Sequence, residues 1–125
     1  MKIEKKSELS SYVMEEKGKF LVVSGVGLFN VEDAKNFIND FKEITKKLNT
    51  TTMELIINTF ELKTSFQEVN SLIGEMTNLY RITPFAKKHM VMPVSKVTLM
   101  QIKRQDESGF LETLNFISDI NELVK

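Results

Sequence analysis

The most constraining feature of this sequence is a short apolar run followed by a polar loop and a strongly amphipathic segment, all within residues 53–81. The run Leu55-Ile56-Ile57 is rich in β-branched residues, which is typical of a strand buried on both faces. The following helix is expected to begin at Thr64 or Ser65, and Glu68 completes a capping box with Ser65. In α/β proteins such a loop lies at the carboxyl edge of the sheet, where binding groups usually gather. The loop is therefore the first candidate site.

Two segments place apolar residues at the spacing of an amphipathic helix. Residues 31–48 carry an apolar stripe within an arc of about 140°, and Asn30 is a suitable N-cap for that helix. The segment from Phe66 to Tyr80 carries a second stripe of similar width. Pro84 ends this second helix, because the residue before a proline disfavours helical backbone angles. Both helices are expected to cover a sheet.

The amino-terminal part of the chain is interpreted as a β-hairpin. Residues 11–16 and 19–25 have strand character, and Lys17-Gly18 supplies the turn between them. Residues 1–10 are polar, and two alternatives stay open for them: a loose lead-in, or the start of an edge strand.

The carboxyl-terminal part continues with short elements. Residues 88–92 are expected to form a third core strand. For residues 94–105 we favour a helix that ends at Gly109 as a left-handed C-cap, with a strand as the alternative. Residues 111–117 are expected to form a last strand, and Asp119 with Glu122 forms a capping box that opens a short terminal helix.

Strands that alternate with helices imply crossover connections and parallel pairing. We therefore predict one α/β domain over residues 1–125, with a mixed, mainly parallel sheet that is covered by helices and begins with the hairpin.

The overall composition excludes several classes of protein. Lys plus Arg equals Asp plus Glu, at 17 each, so the chain lacks the basic excess that nonspecific nucleic-acid binding requires. The sequence has no cysteine, which excludes disulfides and thiolate chemistry. It offers neither a secretory signal nor an apolar run long enough for a membrane span, so we expect a cytoplasmic protein.

The residues that could support catalysis are few. His89 is the sole histidine, and its strand context favours a polar strand position over a general base. One histidine without cysteines cannot form a typical His/Cys metal site. Gly25-Val26-Gly27 lacks the third glycine of a dinucleotide fingerprint, since Asn30 occupies that position. We therefore expect a protein that is not an enzyme and has no catalytic residues, cofactor or metal.

The methionines are interpreted as core filler. This applies in particular to Met76, Met90, Met92 and Met100. Exposed methionines around Phe60, Phe66 and Phe110 would instead mark a site for a partner or an apolar ligand.

The order of elements resembles the STAS domain (sulfate transporter and anti-sigma-factor antagonist), also called the SpoIIAA-like fold. The resemblance covers residues 12–125. It rests on three stretches: Gly18–Gly25 leading through Leu28 to the first helix, Leu55-Ile56-Ile57 leading to Thr64-Ser65, and the final strand and helix from Leu114 to Leu123. It implies a STAS-like fold and a cytoplasmic, regulatory protein–protein interaction module of bacterial type, similar to anti-sigma-factor antagonists.

The resemblance also implies a regulatory phosphorylation site before the second helix. In that family this turn commonly reads Asp-Ser-Ser-Gly, and a partner kinase phosphorylates its first serine. Here the matching residues are Lys63-Thr64-Ser65-Phe66, so Thr64 and Ser65 become candidate phosphoacceptors, while Lys63 and Phe66 depart from the pattern. The alternative is that both hydroxyls only cap the helix.

The same resemblance implies a protein partner, such as a kinase or an anti-sigma-like regulator, and is compatible with a homodimer. The candidate interaction surface is Phe60, Lys63, Thr64, Phe66 and Gln67. The alternative function is a carrier or sensor of a small apolar or lipid-like ligand, which would require an apolar cavity.

Overall fold

The computed structural model describes residues 1–124, and a mixed sheet of six strands and three α-helices forms its frame. The strands are β1 (Lys2–Lys6), β2 (Ser10–Lys17), β3 (Phe20–Gly27), β4 (Glu54–Asn58), β5 (Lys87–Val91) and β6 (Asn115–Ile117). The helices are α1 (Val31–Lys47), α2 (Asn70–Ile82) and α3 (Lys96–Arg104). Short 3₁₀ turns cover Thr50–Thr52, Gln67–Val69, Phe110–Thr113 and Ile120–Glu122.

The strands lie in the sheet in the same order as in the sequence. β1, β2 and β3 pair antiparallel, whereas β3, β4, β5 and β6 pair parallel. β4 is thus an inner strand with parallel neighbours on both sides. Its apolar run is buried on both faces, since Leu55 and Ile56 are 0% exposed and Ile57 is 4% exposed. The predicted mixed sheet with an amino-terminal hairpin is confirmed.

The three α-helices pack on one face of the sheet. Crossovers between neighbouring parallel strands are right-handed as a rule, so a sequential strand order places successive helices on the same side. One hydrophobic cluster joins that face, represented by Leu21, Leu55 and Met90, to Phe41 and Ile44 of α1 and to residues of α2 and α3. α1 begins as predicted, because Asn30 and Asp33 form a reciprocal capping box.

The second face of the sheet is covered by the carboxyl-terminal segment. Phe20, Val22 and Ile56 form a smaller cluster there. The side chains that pack on this cluster are Ile117, Ile120, Leu123 and Val124. This covering segment contains only a 3₁₀ turn where a short terminal helix was expected, although the predicted capping box of Asp119 with Glu122 is present.

Residues 1–10 contain the edge strand β1, which is one of the two alternatives for that stretch.

Two predicted boundaries in the carboxyl-terminal part are wrong. Residues 94–105 do form a helix, α3, but it ends at Arg104, and Gly109 with φ +73° instead precedes a 3₁₀ turn. That turn, Phe110–Thr113, shortens the last strand to three residues.

The second helix also starts later than predicted. α2 begins at Asn70, after a 3₁₀ turn, and neither Thr64 nor Ser65 caps it. The predicted capping box of Ser65 with Glu68 is therefore wrong. The reason lies in α3, whose side chains bind these two residues instead.

Candidate functional site

The loop between β4 and α2, residues 59–66, is anchored to both neighbouring strands. On one side, the amide and the hydroxyl of Thr59 both donate to the carbonyl oxygen of Val91, at 3.1 and 2.7 Å. On the other side, the Gly27 amide donates to Glu61 O at 3.0 Å, and the Lys63 amide donates to Gly27 O at 2.9 Å. The loop therefore extends the parallel pairing past the end of β4 and has a defined backbone path.

Gly27 is required at this anchor for two reasons. Its φ of +82° lies in the left-handed region, which other residues adopt at a cost. A Cβ at this position would also collide with the backbone carbonyl of Leu9, because the chain passes close behind it. The glycine before α1 thus serves the β4–α2 loop, in addition to loosening the strand-to-helix turn.

α3 holds the second half of the loop. The hydroxyls of Thr64 and Thr98 lie 3.0 Å apart, and Thr98 is buried. Ser65 is held through its backbone, since its amide donates to Gln101 Oε1 at 2.9 Å and its carbonyl accepts from Gln101 Nε2 at 3.0 Å. The same Gln101 amide nitrogen reaches Asn70 Oδ1 at 2.9 Å, at the first residue of α2. Gln101 therefore joins the loop, α2 and α3.

Large apolar side chains project from these connected segments into solvent. Their exposed fractions lie between 42% and 70%. They are Phe60, Phe66, Met92, Val94, Val97 and Met100. We call these six residues the carboxyl-edge patch. A hydrogen bond from the Val94 amide to Phe60 O, at 3.1 Å, joins the β4–α2 loop to the β5–α3 connection, which carries Met92 and Val94, while Val97 and Met100 lie in α3.

The exposed methionines correct the prediction that the methionines fill the core. Met76 and Met90 are buried as expected, but Met92 and Met100 are exposed. Exposed methionines around Phe110 would have marked a site for a partner or an apolar ligand, but Phe110 is itself buried. A usable signal was present in residues 94–105, whose apolar residues do not form one helical stripe. α3 buries Thr98 and Ile102 and turns Val97 and Met100 outward, so its apolar residues lie on two faces.

The predicted interaction residues are brought to one edge of the sheet. Phe60, Lys63, Phe66 and Gln67 are exposed there. The two candidate phosphoacceptors, Thr64 and Ser65, are half-buried. They precede the 3₁₀ turn that leads into α2, so neither hydroxyl lies at the first turn of that helix.

His89 lies in a polar cluster on the opposite face of the sheet. The ring is 3% exposed. Nε2 lies 2.7 Å from Glu54 Oε1, and Nδ1 lies 2.8 Å from Asn115 Nδ2. Lys19 Nζ adds an ion pair to Glu54 Oε2 at 3.0 Å. Because a carboxylate only accepts, Nε2 carries a hydrogen, and Nδ1 accepts from the Asn115 amide when the ring is neutral. Both ring nitrogens are thus engaged, which fits a structural role across three strands.

Glu54, Tyr80 and Tyr12 are among the ionisable groups away from the loop that have displaced pKa values. The hydrogen bond from His89, assisted by Lys19, lowers the pKa of Glu54 below its usual value of 4.5. Burial raises the pKa of Tyr80, and burial together with the hydrogen bond to Asp40 raises the pKa of Tyr12. The Tyr12 hydroxyl donates to Asp40 Oδ2 at 2.6 Å, which ties β2 to α1. All three groups lie outside the loop.

Within residues 1–124, no group of three or more His, Asp or Glu side chains is arranged to hold a metal ion. Over the same residues, no helix has the length and apolar character needed to cross a membrane. Comparison with models of known protein families and with curated protein sequences gave no match.

Proposed function

We propose that this chain is a non-catalytic regulatory module that binds a protein partner in the cytoplasm through the carboxyl-edge patch. The observation that carries this proposal is the exposure of six large apolar side chains, four on two hydrogen-bonded connections at the carboxyl edge of the sheet and two on α3. Contiguous exposed apolar surface marks interaction sites in folded proteins. Aromatic and methionine side chains are also enriched in protein interfaces.

The backbone beneath the patch favours binding. The β4–α2 loop is fixed by hydrogen bonds to the ends of β3 and β5 and to α3. A surface that is already ordered loses less conformational entropy when a partner binds. Phe60 and Phe66 are therefore presented as rigid anchors, which is the arrangement expected of energetically dominant interface residues.

A STAS-like fold is the second part of the proposal. It is supported by the antiparallel amino-terminal strands, the parallel strands that follow with α-helices between β3, β4 and β5, and the position of the loop at the end of an inner strand. The engagement of both nitrogens of His89 supports a role without catalysis, because that ring has no free position for proton transfer in this arrangement.

The direct test compares two phenylalanines of equal exposure. Phe66 in the patch is 43% exposed, and Phe116 in β6 is 45% exposed. Affinity capture from host lysate is done with the wild-type chain, Phe66→Ala and Phe116→Ala. Loss of an anchor costs about 2 kcal/mol or more, about 30-fold in affinity. We expect a protein retained by the wild type and by Phe116→Ala to be lost with Phe66→Ala.

Two outcomes would count against the patch. The same captured proteins with all three chains would show that Phe66 is not an anchor. Equal loss with both variants would point to unfolding or to a different surface. Light scattering on the same three chains tests the second copy as partner, because a homodimer through the patch would dissociate with Phe66→Ala alone.

We propose that phosphorylation of Thr64 or Ser65 regulates the binding of the partner. Thr64 donates to or accepts from the buried Thr98, so a phosphate on its oxygen would break this contact and place about two negative charges beside Lys63. We expect Thr64→Glu to alter the captured proteins. Thr51→Glu is the control, since Thr51 is exposed in the turn before β4. Intact-mass measurement of the native protein tests the modification itself, and absence of added phosphate under all growth conditions would contradict it.

A further inference from the structure

An apolar cavity of about 110 Å³ lies between the helix-covered face of the sheet and the three α-helices. Val23 of β3 and Ile57 of β4 form part of its floor, and residues of α1, α2 and α3 form its walls. Protein interiors contain few voids larger than a water molecule, because lost contacts destabilise the fold. This cavity is partly open to solvent, and an unfilled apolar space of this size beside the core is therefore a feature to be explained.

Most polar side chains at the cavity wall are already paired. Thr77 Oγ1 donates to the carbonyl oxygen of Ile73 at 2.8 Å, and Thr59 Oγ1 donates to Val91 O. The Gln101 amide is used by Ser65 and Asn70. Among the described residues, no buried side-chain nitrogen or oxygen is left without a partner. No Asp, Glu, Lys, Arg or His side chain lines the cavity, so a ligand would find mainly van der Waals contacts, and a charged group would lose its hydration without compensation.

Size narrows the choice further. A dry apolar cavity of about 150 Å³ in another protein accepts benzene or xenon. The present cavity is somewhat smaller, so it has room for one aromatic ring or one short alkyl group. From the volume and the uncharged, mainly apolar wall, we infer that this cavity is a binding site for a small, uncharged, apolar molecule of about the size of benzene.

The β4–α2 loop closes one end of this site. Leu62 and Ser65 of the loop line the cavity together with Asn58 and Gln101, and all four are half-buried. Because these four residues are partly exposed, a small ligand can reach the cavity from the carboxyl edge of the sheet. This inference does not depend on the proposed protein partner.

The test uses the full chain alone, with benzene and xenon as apolar probes and benzoate as the charged control of the same ring. Methyl and amide NMR shifts are followed during each titration. We expect benzene and xenon to shift signals of Val23 and Ile57, and to leave those of Val22 and Ile56 on the opposite face unchanged. Benzoate is expected to shift neither set.

Two adjacent residues of β3 provide a matched pair of variants. Val23 lines the cavity, whereas Val22 packs on the opposite face. Val23→Ile adds a methylene group inside the site and is expected to weaken benzene binding about tenfold or more. Val22→Ile adds the same group elsewhere and should leave binding unchanged. Gly25→Ala is a second filling variant, because its Cβ would meet Leu62 and Phe29 at an ordinary 3.6 Å.

Three results would overturn the inference: no shift with benzene or xenon up to saturating concentration, equal weakening by Val22→Ile and Val23→Ile, or binding of benzoate as tight as that of benzene. If Val23→Ile fails to fold, Gly25→Ala decides, and unchanged benzene binding in that variant contradicts the site. Loss of partner capture by Phe66→Ala would be unaffected by any of these results.

Discussion

Removal of the Glu54 carboxylate should destabilise the fold by about 2 kcal/mol, and the structure indicates why. The His89 ring is buried, and its Nε2–H donates to Glu54 at 2.7 Å. A hydrogen bond to a charged group contributes about 1.5–3 kcal/mol, and an unpaired buried donor costs a similar amount. The ion pair with Lys19 adds about 0–1 kcal/mol at most, because the Lys19 side chain is 64% exposed. Glu54→Ala therefore loses mainly the contact with His89.

The assay is urea unfolding at neutral pH, with two controls. Glu54→Gln keeps an acceptor for His89 and should cost about 1 kcal/mol or less. Glu15→Ala removes a carboxylate from β2 on the same face of the sheet, where its partner Lys17 lies 3.5 Å away and is largely solvated. That change should cost about 0–1 kcal/mol. Equal losses for Glu54→Ala and Glu15→Ala would refute the reasoning that the buried imidazole sets the cost.

The pH dependence of the free energy of unfolding tests the same contact between Glu54 and His89. His89 lowers the pKa of Glu54 in the folded chain below its usual value of 4.5. As the pH falls, the unfolded chain takes up this proton first, so the contribution of Glu54 to stability is present above its usual pKa and is lost as the pH falls through the folded value. The difference in the free energy of unfolding between the wild type and Glu54→Ala should narrow as the pH falls below about 4.5. A difference that widens over this range would contradict the assignment.

Three further substitutions test the fold, each by the free energy of unfolding in urea. Gly27→Ala should lower the free energy of unfolding by well above about 2 kcal/mol, because a positive φ and a collision with a backbone carbonyl combine. Gly18→Ala should lower it by about 1–2 kcal/mol, because Gly18 also has a positive φ of +59° but open space around its Cβ position among the described atoms. Similar values for the two glycines would exclude the collision. Asn30→Ala should cost about 1 kcal/mol through loss of the α1 capping box, and the exposed Asn39→Ala in the same helix should be nearly neutral; a neutral Asn30→Ala would show that the cap does not stabilise α1. Phe41→Ala should cost about 3–5 kcal/mol, since Phe41 is among the largest fully buried side chains, and a loss below about 2 kcal/mol would mean that the core is not closed there.

The elements that could be predicted from the sequence are those specified by neighbouring residues. The β-branched run of β4 required burial on both faces, and burial on both faces places a strand inside a sheet. α1 carried its apolar stripe and its own cap, because Asn30 and Asp33 are only three residues apart. In short-range patterns of this kind, the residues that determine the local structure are neighbours in the sequence.

The start of α2 could not be predicted for the opposite reason. Thr64 and Ser65 had the sequence of a helix cap, but their partners, Thr98 and Gln101, lie more than thirty residues away on α3. Local capping competes with such tertiary hydrogen bonds, and here the tertiary bonds prevail. The position of His89 between two other strands was hidden in the same way, since neither Glu54 nor Asn115 is near it in sequence.

Only part of the carboxyl-edge patch could be predicted from the sequence. Phe60 and Phe66 could be assigned to the surface because they flank a polar loop, but Met92 and Met100 resembled core residues. The mixed apolar pattern of residues 94–105 was the available sign that α3 has two apolar faces. Deciding which face is buried requires knowing where α3 packs, and that depends on the whole sheet.

The two proposed sites share one loop, so their occupants are thermodynamically linked if the loop has more than one arrangement. Leu62 and Ser65 line the cavity, while Phe60 and Phe66 of the same loop form part of the carboxyl-edge patch. A ligand shifts such an equilibrium only by its difference in affinity for the two arrangements, and the effect is reciprocal. Benzene that strengthens partner binding must therefore be bound more tightly when the partner is present. If the loop has a single arrangement, fixed by Thr98 and Gln101, each site fills independently of the other. Partner affinity measured with and without saturating benzene distinguishes the two cases. At a given benzene concentration, Val23→Ile should reduce any difference, because it weakens benzene binding without touching the patch.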